Sequence, residues 1–169
     1  AKDLAVLYAE GLELEPVVLG DSDVLQIGDW AICIGNPLGF TGTTTVGVIS
    51  ALNREITNST TDIYGRRTDS VNLMIQTDAA INAGNSGGGM FNVAGELIGV
   101  PSMKYTGSYM SATSVEGIGM AIPINVAKPL IEEVLAGKTN DAQANNSTGS
   151  NNSLTTAEKP RIGVTVANL

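Results

Sequence analysis

The sequence predicts an all-β domain, an antiparallel barrel or sandwich with one helix near its C-terminal end, on three observations. Short runs rich in Val, Ile and Thr recur between clusters of Gly, Asn, Pro and Asp, the pattern of strands joined by tight turns. Hydrophobic residues make up 43% of the chain and charged ones only 15%, with 20 glycines, a turn-rich globular composition rather than a helical or disordered one. Only "NVAKPLIEEVLAGK" carries a clear helical period.

Strands are expected over residues 4–9, 30–35, 43–52, 71–77, 88–92, 96–100 and 117–123. The run "MFNVAGELIGV" reads as a hairpin turning at Asn92 to Gly95. Residues 53–70 are polar and turn-rich and are expected to form a long loop. In the helix, Asn125 is the expected N-cap and Pro129 is placed in the tolerated first turn. Ala127, Leu130, Ile131, Val134 and Leu135 share one face, and Gly137 ends it. Residues 138–158 are polar, with Leu154 their single large apolar residue, and read as a flexible linker. At 159–169, "KPRIGVTVANL" turns strand-like again, as the opening of a second domain would.

A chain of 169 residues can hold one compact domain with a proper core. Cys33 is the sole cysteine and there is no histidine, so an internal disulfide and a Cys/His zinc site are excluded, and nothing calls for a cofactor or metal. Cys33 lies in "WAICIG", where a buried, inert thiol is expected. The net charge of −8 speaks against nucleic-acid binding, which requires a basic face. No apolar run approaches the roughly 20 residues of a membrane span, so a membrane anchor is expected only upstream of residue 1.

The stretch that carries chemistry is "QTDAAINAGNSGGGM", residues 76–90. Its glycines permit a tight turn that displays Ser86 with the N–H groups of Gly84 and Ser86 converging on one point, where an oxyanion would sit. A glycine-rich hairpin with an incidental serine is the plain alternative. A serine nucleophile needs a base and a group to orient it, and with no histidine here the base lies on another segment, or a lysine serves, or the protein is no enzyme. Chain order bears on the choice. The orders Asp, His, Ser and Ser, Asp, His would both place a histidine within view, whereas His, Asp, Ser puts it upstream and leaves an acid near residue 1. Asp3 is suitably placed for that acid. Lys104 and Lys128 are the candidate lysines, and nothing in their spacing recommends either.

In order along the chain, "DLAVLYAE", "LGDSDVLQIGDWAICIGNPLGF", "TTTVGVISALNRE", "IQTDAAINAGNSGGGMFNVAGELIGV" and "GIGMAIPIN" strongly resemble the bacterial HtrA (Deg) family of trypsin-like serine proteases, from Asp3 to about Gly137. The resemblance implies a trypsin-like double barrel. Residues 1–15 would be the last strand of the N-terminal barrel, 16–137 the C-terminal barrel and helix, 138–158 a linker, and 159–169 the first strand of a PDZ domain. By the same resemblance Ser86 is the nucleophile and Asp3 the triad acid, with the oxyanion hole in the loop Gly84, Asn85, Ser86. The catalytic histidine belongs to the missing first barrel, so this stretch alone is expected to be inactive. Ala80 would floor the specificity pocket, with Ile81, Ile118, Gly119 and Met120 lining it, which favours cleavage after Val, Ala, Ile or Leu. Asp78 is expected to hydrogen-bond the loop backbone.

The family implies an endopeptidase of protein quality control that acts on unfolded or misfolded polypeptide. It would work outside the cytoplasm, in the periplasm or at the outer face of the cell membrane, as a homotrimer. A non-catalytic chaperone or peptide-binding scaffold is the alternative. Three residues depart from the family pattern. Gly89 and Ala83 stand where prolines are common and are expected to loosen the nucleophile loop. Pro101 interrupts a strand and suggests an edge or a bulge.

Overall fold

A computed structural model describes residues 3–7, 15–36, 42–61, 65–82, 84–104, 116–136 and 163–164. The expectations for Ala83, Gly137, the linker 138–158 and all but two residues of 159–169 lie outside these. The strands are β1 (Val6–Leu7), β2 (Trp30–Gly35), β3 (Thr43–Thr61), β4 (Arg67–Thr77), β5 (Gly89–Phe91), β6 (Leu97–Lys104), β7 (Gly119–Pro123) and β8 (Gly163–Val164). Helix α1 (Ile124–Leu135) follows β7 directly. Strands β2, β3, β4, β7, β6 and β5, in that order, close into an antiparallel barrel, with β5 pairing back onto β2. The expected all-β class with one helix is borne out. Outside the barrel, β1 pairs antiparallel with β8.

The period-2 alternation of β2 turns Ala31 and Cys33 inward, where both are fully buried, and leaves Trp30 and Ile34 outward. The inward set meets Ile49, Ile75, Ala79, Met90, Ile98 and Ala121 to form the main core. Burial pushes the Cys33 thiol up to about 11, which fits the inert, structural thiol expected.

The sequence reading of 53–70 as a loop needs correction. The ladder between β3 and β4 continues from Arg54 opposite Met74 to Thr61 opposite Arg67, as a two-stranded arm running past the barrel. Beyond its base, where Met74 is buried and Ile56 packs beside it, neither side of that arm needs the apolar alternation that marks a core strand. Ile56, Thr57, Val71 and Leu73 supply β-branched and apolar residues, and Arg67, Asp69 and Ser59 form a hydrogen-bonded cluster near the tip. The Asp69 carboxyl is held below the usual carboxylate range, first by the Ser59 hydroxyl and then by Arg67. Two register shifts in β3, with Asn53 at φ 55°, bend the arm where it leaves the barrel.

The hairpin between β5 and β6 turns as expected. Gly95 stands at φ 77°, its N–H donates to Asn92 O, and the Asn92 carboxamide accepts from Ala94 and Glu96.

The start of α1 differs from the expectation at Asn125 and Pro129. Pro123 occupies the N-cap position and gives no side-chain cap. Asn125 is the second helical residue, so its side chain lies beyond the capping position. Its N–H instead donates to Ser22 Oγ at 3.1 Å and its Nδ2 to Asp21 Oδ1 at 2.7 Å, so the first turn is satisfied from the loop before β2. Pro129 falls in the second turn, where its missing N–H leaves the Asn125 carbonyl without its intrahelical donor. Ile124, Ala127 and Ile131 are buried against Leu97, with Leu4, Val6, Leu19 and Phe91 packed around them, whereas Leu135 is largely exposed.

Candidate active site

The Ser86 loop spans the gap between the end of β4 at Thr77 and the start of β5 at Gly89, and side chains and backbone fix it from several directions. Thr77 Oγ1 donates to Val48 O at 2.8 Å and accepts from the Ala79 N–H at 3.1 Å. Asp78 Oδ1 accepts from the Val48 N–H at 2.7 Å, so this carboxylate ties the loop to β3 rather than bonding the loop's own backbone. Ala80 O accepts from Thr45 Oγ1 and from Asn85 Nδ2, both at 2.9 Å.

The turn at the nucleophile position depends on glycine for its shape. Gly84 lies at φ 109° and Gly87 at φ 80°, conformations that side-chain-bearing residues rarely adopt. Close approach matters as much as torsion. A Cβ on Gly35 would lie 2.4 Å from Asn85 Cα, so β2 and the loop touch backbone to backbone. The Asn36 N–H donates to Gly84 O at 2.9 Å across that contact.

Ser86 is half-buried at the crest of this turn. Among the described residues, neither its N–H nor that of Gly84 enters a backbone hydrogen bond. The N–H of Asn85 differs, since it donates to Asn82 O at 3.1 Å. Asn85 is 1% exposed, and its carboxamide turns inward with Oδ1 accepting from the Asn82 N–H at 2.9 Å. Gly89, expected to loosen the loop, is instead paired with Ile34 and overlaid by Phe91, whose ring would stand 2.3 Å from an added Cβ.

Asp3 reaches the site through β6. That strand carries one extra residue against β7 between Pro101 and Met103, so the bulge reading of Pro101 holds and the edge reading does not. Pro101 is fully buried in the closed barrel and its carbonyl accepts from the Gly87 N–H at 2.8 Å. The extra residue, Ser102, is 7% exposed and donates from Oγ to Asp3 Oδ2 at 3.0 Å. Asp3 itself is exposed and adopts φ 54°, a backbone conformation uncommon for a non-glycine residue. Ser86's neighbour and Asp3 are therefore tied to consecutive residues of one strand. Ser102 escaped the sequence reading, and the proline beside it was the available signal.

Of the residues expected to line a specificity pocket, Ile81, Gly119 and Met120 are buried, Ile118 is half-buried and Ala80 is exposed. Ile81 packs over Gly119 so closely that a Cβ there would lie 2.4 Å from Ile81 Cγ1. Lys128 lines a separate depression with Asp21, Trp30 and Glu96 that shares no residue with the Ser86 loop. The side chain of Lys104 lies outside the described residues.

Comparison with known proteins accounts for this arrangement. The family profile of the trypsin-like peptidase domain matches residues 1–100. The chain belongs to the trypsin-like peptidase family. Within it, this trypsin-like chain sits with the HtrA-type serine proteases. It is 46% identical over 136 residues to the serine protease Do-like HtrB of Bacillus subtilis (strain 168), covering 79% of this chain and 28% of that protein. The serine protease PepD of Mycobacterium tuberculosis (strain ATCC 25618 / H37Rv) is 43% identical over 145 residues, which is 83% of this chain and 31% of PepD. A probable periplasmic serine endoprotease, DegP-like, of Pseudomonas savastanoi pv. phaseolicola (strain 1448A / Race 6) is 40% identical over 136 residues, 79% of this chain and 25% of the relative. Among solved structures, the HtrA-type protease AlgWS227A with tripeptide superimposes with a TM-score of 0.55 at 35% identity, over 73% of this chain and 38% of that one. The chain thus spans between 25% and 31% of the length of these three curated relatives.

Proposed function

We propose that this trypsin-like chain supplies the nucleophile, oxyanion hole and orienting acid of an HtrA-type serine endopeptidase. The observation that carries the reading is the pair of ties on β6: Pro101 holds the loop of Ser86 while the adjacent Ser102 holds Asp3. In this reading Ser86 Oγ attacks the scissile carbonyl and gives its proton to a histidine contributed by polypeptide outside these 169 residues, which contain none. Asp3 accepts the other ring N–H of that histidine and stabilises the imidazolium that forms. With Oδ2 already engaged by Ser102, Oδ1 is the oxygen left for it. The Gly84 and Ser86 N–H groups receive the oxyanion. They are held by a loop braced by hydrogen bonds involving Asn85, Asn36 and Pro101, and removing one such donor typically costs about 3–4 kcal/mol of transition-state stabilisation.

Substrate and setting follow from the family. The substrate class is unfolded or misfolded polypeptide, cut after Val, Ala, Ile or Leu, a preference that the close packing of Ile81 over Gly119 supports. The setting is extracytoplasmic, as the name of the Pseudomonas relative states for that protein. The full protein acts as a homotrimer, with a linker over 138–158 and a PDZ domain opening at 159–169. The second reading is a scaffold or chaperone that keeps the fold without the reaction, which an upstream segment carrying no histidine at the triad position would support.

Fluorophosphonate labelling of the full-length polypeptide separates the two. Labelling that is lost in Ser86→Ala and strongly slowed in Asp3→Asn is expected. A full-length protein that stays unlabelled even with unfolded substrate present would overturn the protease reading in favour of the scaffold.

A further inference from the structure

One of the two most buried polar side chains in the site, alongside Thr77, belongs to a residue that presents nothing to substrate. Asn85 is 1% exposed, and both ends of its carboxamide are used inside its own loop. Oδ1 accepts from the Asn82 N–H and Nδ2 donates to Ala80 O, each at 2.9 Å. These bonds reach three and five residues back along the chain, so one planar group ties the residue immediately before Ser86 to both Asn82 and Ala80. The Asn85 backbone extends the brace, its N–H donating to Asn82 O and its carbonyl accepting from Gly88. A carboxamide suits the position because one neighbour is a donor and the other an acceptor. A carboxylate can serve only the donor, and an alanine neither.

We propose that Asn85 is a positioning residue: its carboxamide holds the Gly84 and Ser86 N–H groups in the orientation that receives the oxyanion. This rests on the protease reading above and adds to it the element that keeps the loop in its working shape. The loop is braced from within, and no charged partner is required at Asn85. Among the described residues, the ionisable groups nearest it on the segments packed against it are Asp78, whose carboxylate is committed to the Val48 N–H, and Cys33, a buried thiol in β2; Asp3 lies beyond Ser102 on the β6 side.

The test is Asn85→Asp in the full-length protein, assayed by fluorophosphonate labelling and peptide hydrolysis as ratios to wild type from about pH 8 down to about pH 5.5. The ionised carboxylate repels Ala80 O, whereas the protonated acid, with one donor and one acceptor, reproduces the carboxamide. The expected result is a kcat lowered by about 10- to 100-fold near pH 8 with KM little changed, and a ratio to wild type that climbs as pH falls. A folded N85D with the wild-type rate at pH 8, or a depressed ratio that stays flat with pH, would overturn the proposal.

Amide exchange of Asn82 in the unmodified protein supplies a readout that survives a variant that does not fold. Slow exchange is expected from an N–H held by Asn85, and exchange at the rate of a free amide would refute it. If the wild type itself fails to label, the protease reading falls, and Asn82 exchange still decides whether the brace exists. If the wild type labels and N85D labels equally, only the positioning role falls.

Discussion

The backbone contact between β2 and the Ser86 loop gives a sharp prediction for Gly35→Ala. The added Cβ would stand 2.4 Å from Asn85 Cα, 2.5 Å from Asn85 Cβ and 3.0 Å from Gly84 O. These are main-chain atoms or atoms bonded to the main chain, so no side-chain rotation relieves the overlap. The loop must retreat by about 1 Å to reach an ordinary contact of 3.4 Å. Overpacking of this kind costs about 1–3 kcal/mol, which in a domain of this size lowers Tm by about 3–10 °C. The effect on chemistry is larger, because a displacement of about 1 Å from productive geometry costs about 100-fold in rate. Thermal unfolding by circular dichroism and fluorophosphonate labelling of the full-length protein measure the two quantities separately. Val93→Ala, at a site 74% exposed, serves as a control and should change neither. A Gly35→Ala protein with unchanged Tm and wild-type labelling would show that the contact does not seat the nucleophile loop.

Other consequences can be checked with the same material. Ser102→Ala removes the donor to Asp3 Oδ2 and should slow labelling about tenfold, with a stability loss of about 1 kcal/mol in chemical denaturation; an unchanged rate would mean that Asp3 needs no such support. Cys33 should resist iodoacetamide in the native protein and react once unfolded, as followed by mass spectrometry. Its folded pKa of about 11 lies above the unfolded value, so its contribution to stability is complete below the unfolded pKa and is lost as pH rises through about 11. Asp69 behaves in the opposite sense, since its folded pKa is depressed. The stability it adds to the arm is present above the unfolded carboxyl pKa and lost as pH falls through the folded value, and Asp69→Asn should remove that acid limb from the arm's amide-exchange protection.

The sequence carried the barrel because each inward strand face is written in residues, as in Ala31 and Cys33 of β2, and because turns such as Asn92 to Gly95 have their own chemistry. It concealed the outer part of the β3–β4 arm, since beyond Ile56 and Met74, which pack at its base, the two-stranded ribbon covers no core and shows no apolar period over 57–61 and 67–70. Composition there could not separate strand from loop. At the site, the glycine spacing around Ser86 was legible and the direction of Asn85 was not. Whether an asparagine in a turn faces solvent or its own backbone depends on carbonyls that only the folded path brings near. The same holds for the helix start, where Asn125 resembles a local cap yet bonds to Asp21 and Ser22, about a hundred residues earlier in the chain.

The hydrogen bond between Ser102 and Asp3 joins residues 99 positions apart. Closing so long a segment loses chain entropy that only a nearly complete barrel can offset, so this contact belongs to the late stages of folding. The loop of Ser86 has a similar dependence, because it rests on β2, β3 and β6 together. A nascent or partly collapsed chain therefore contains its serine without the geometry that would make it reactive. If Ser86 is the nucleophile proposed above, topology alone defers its chemical competence until the domain is whole.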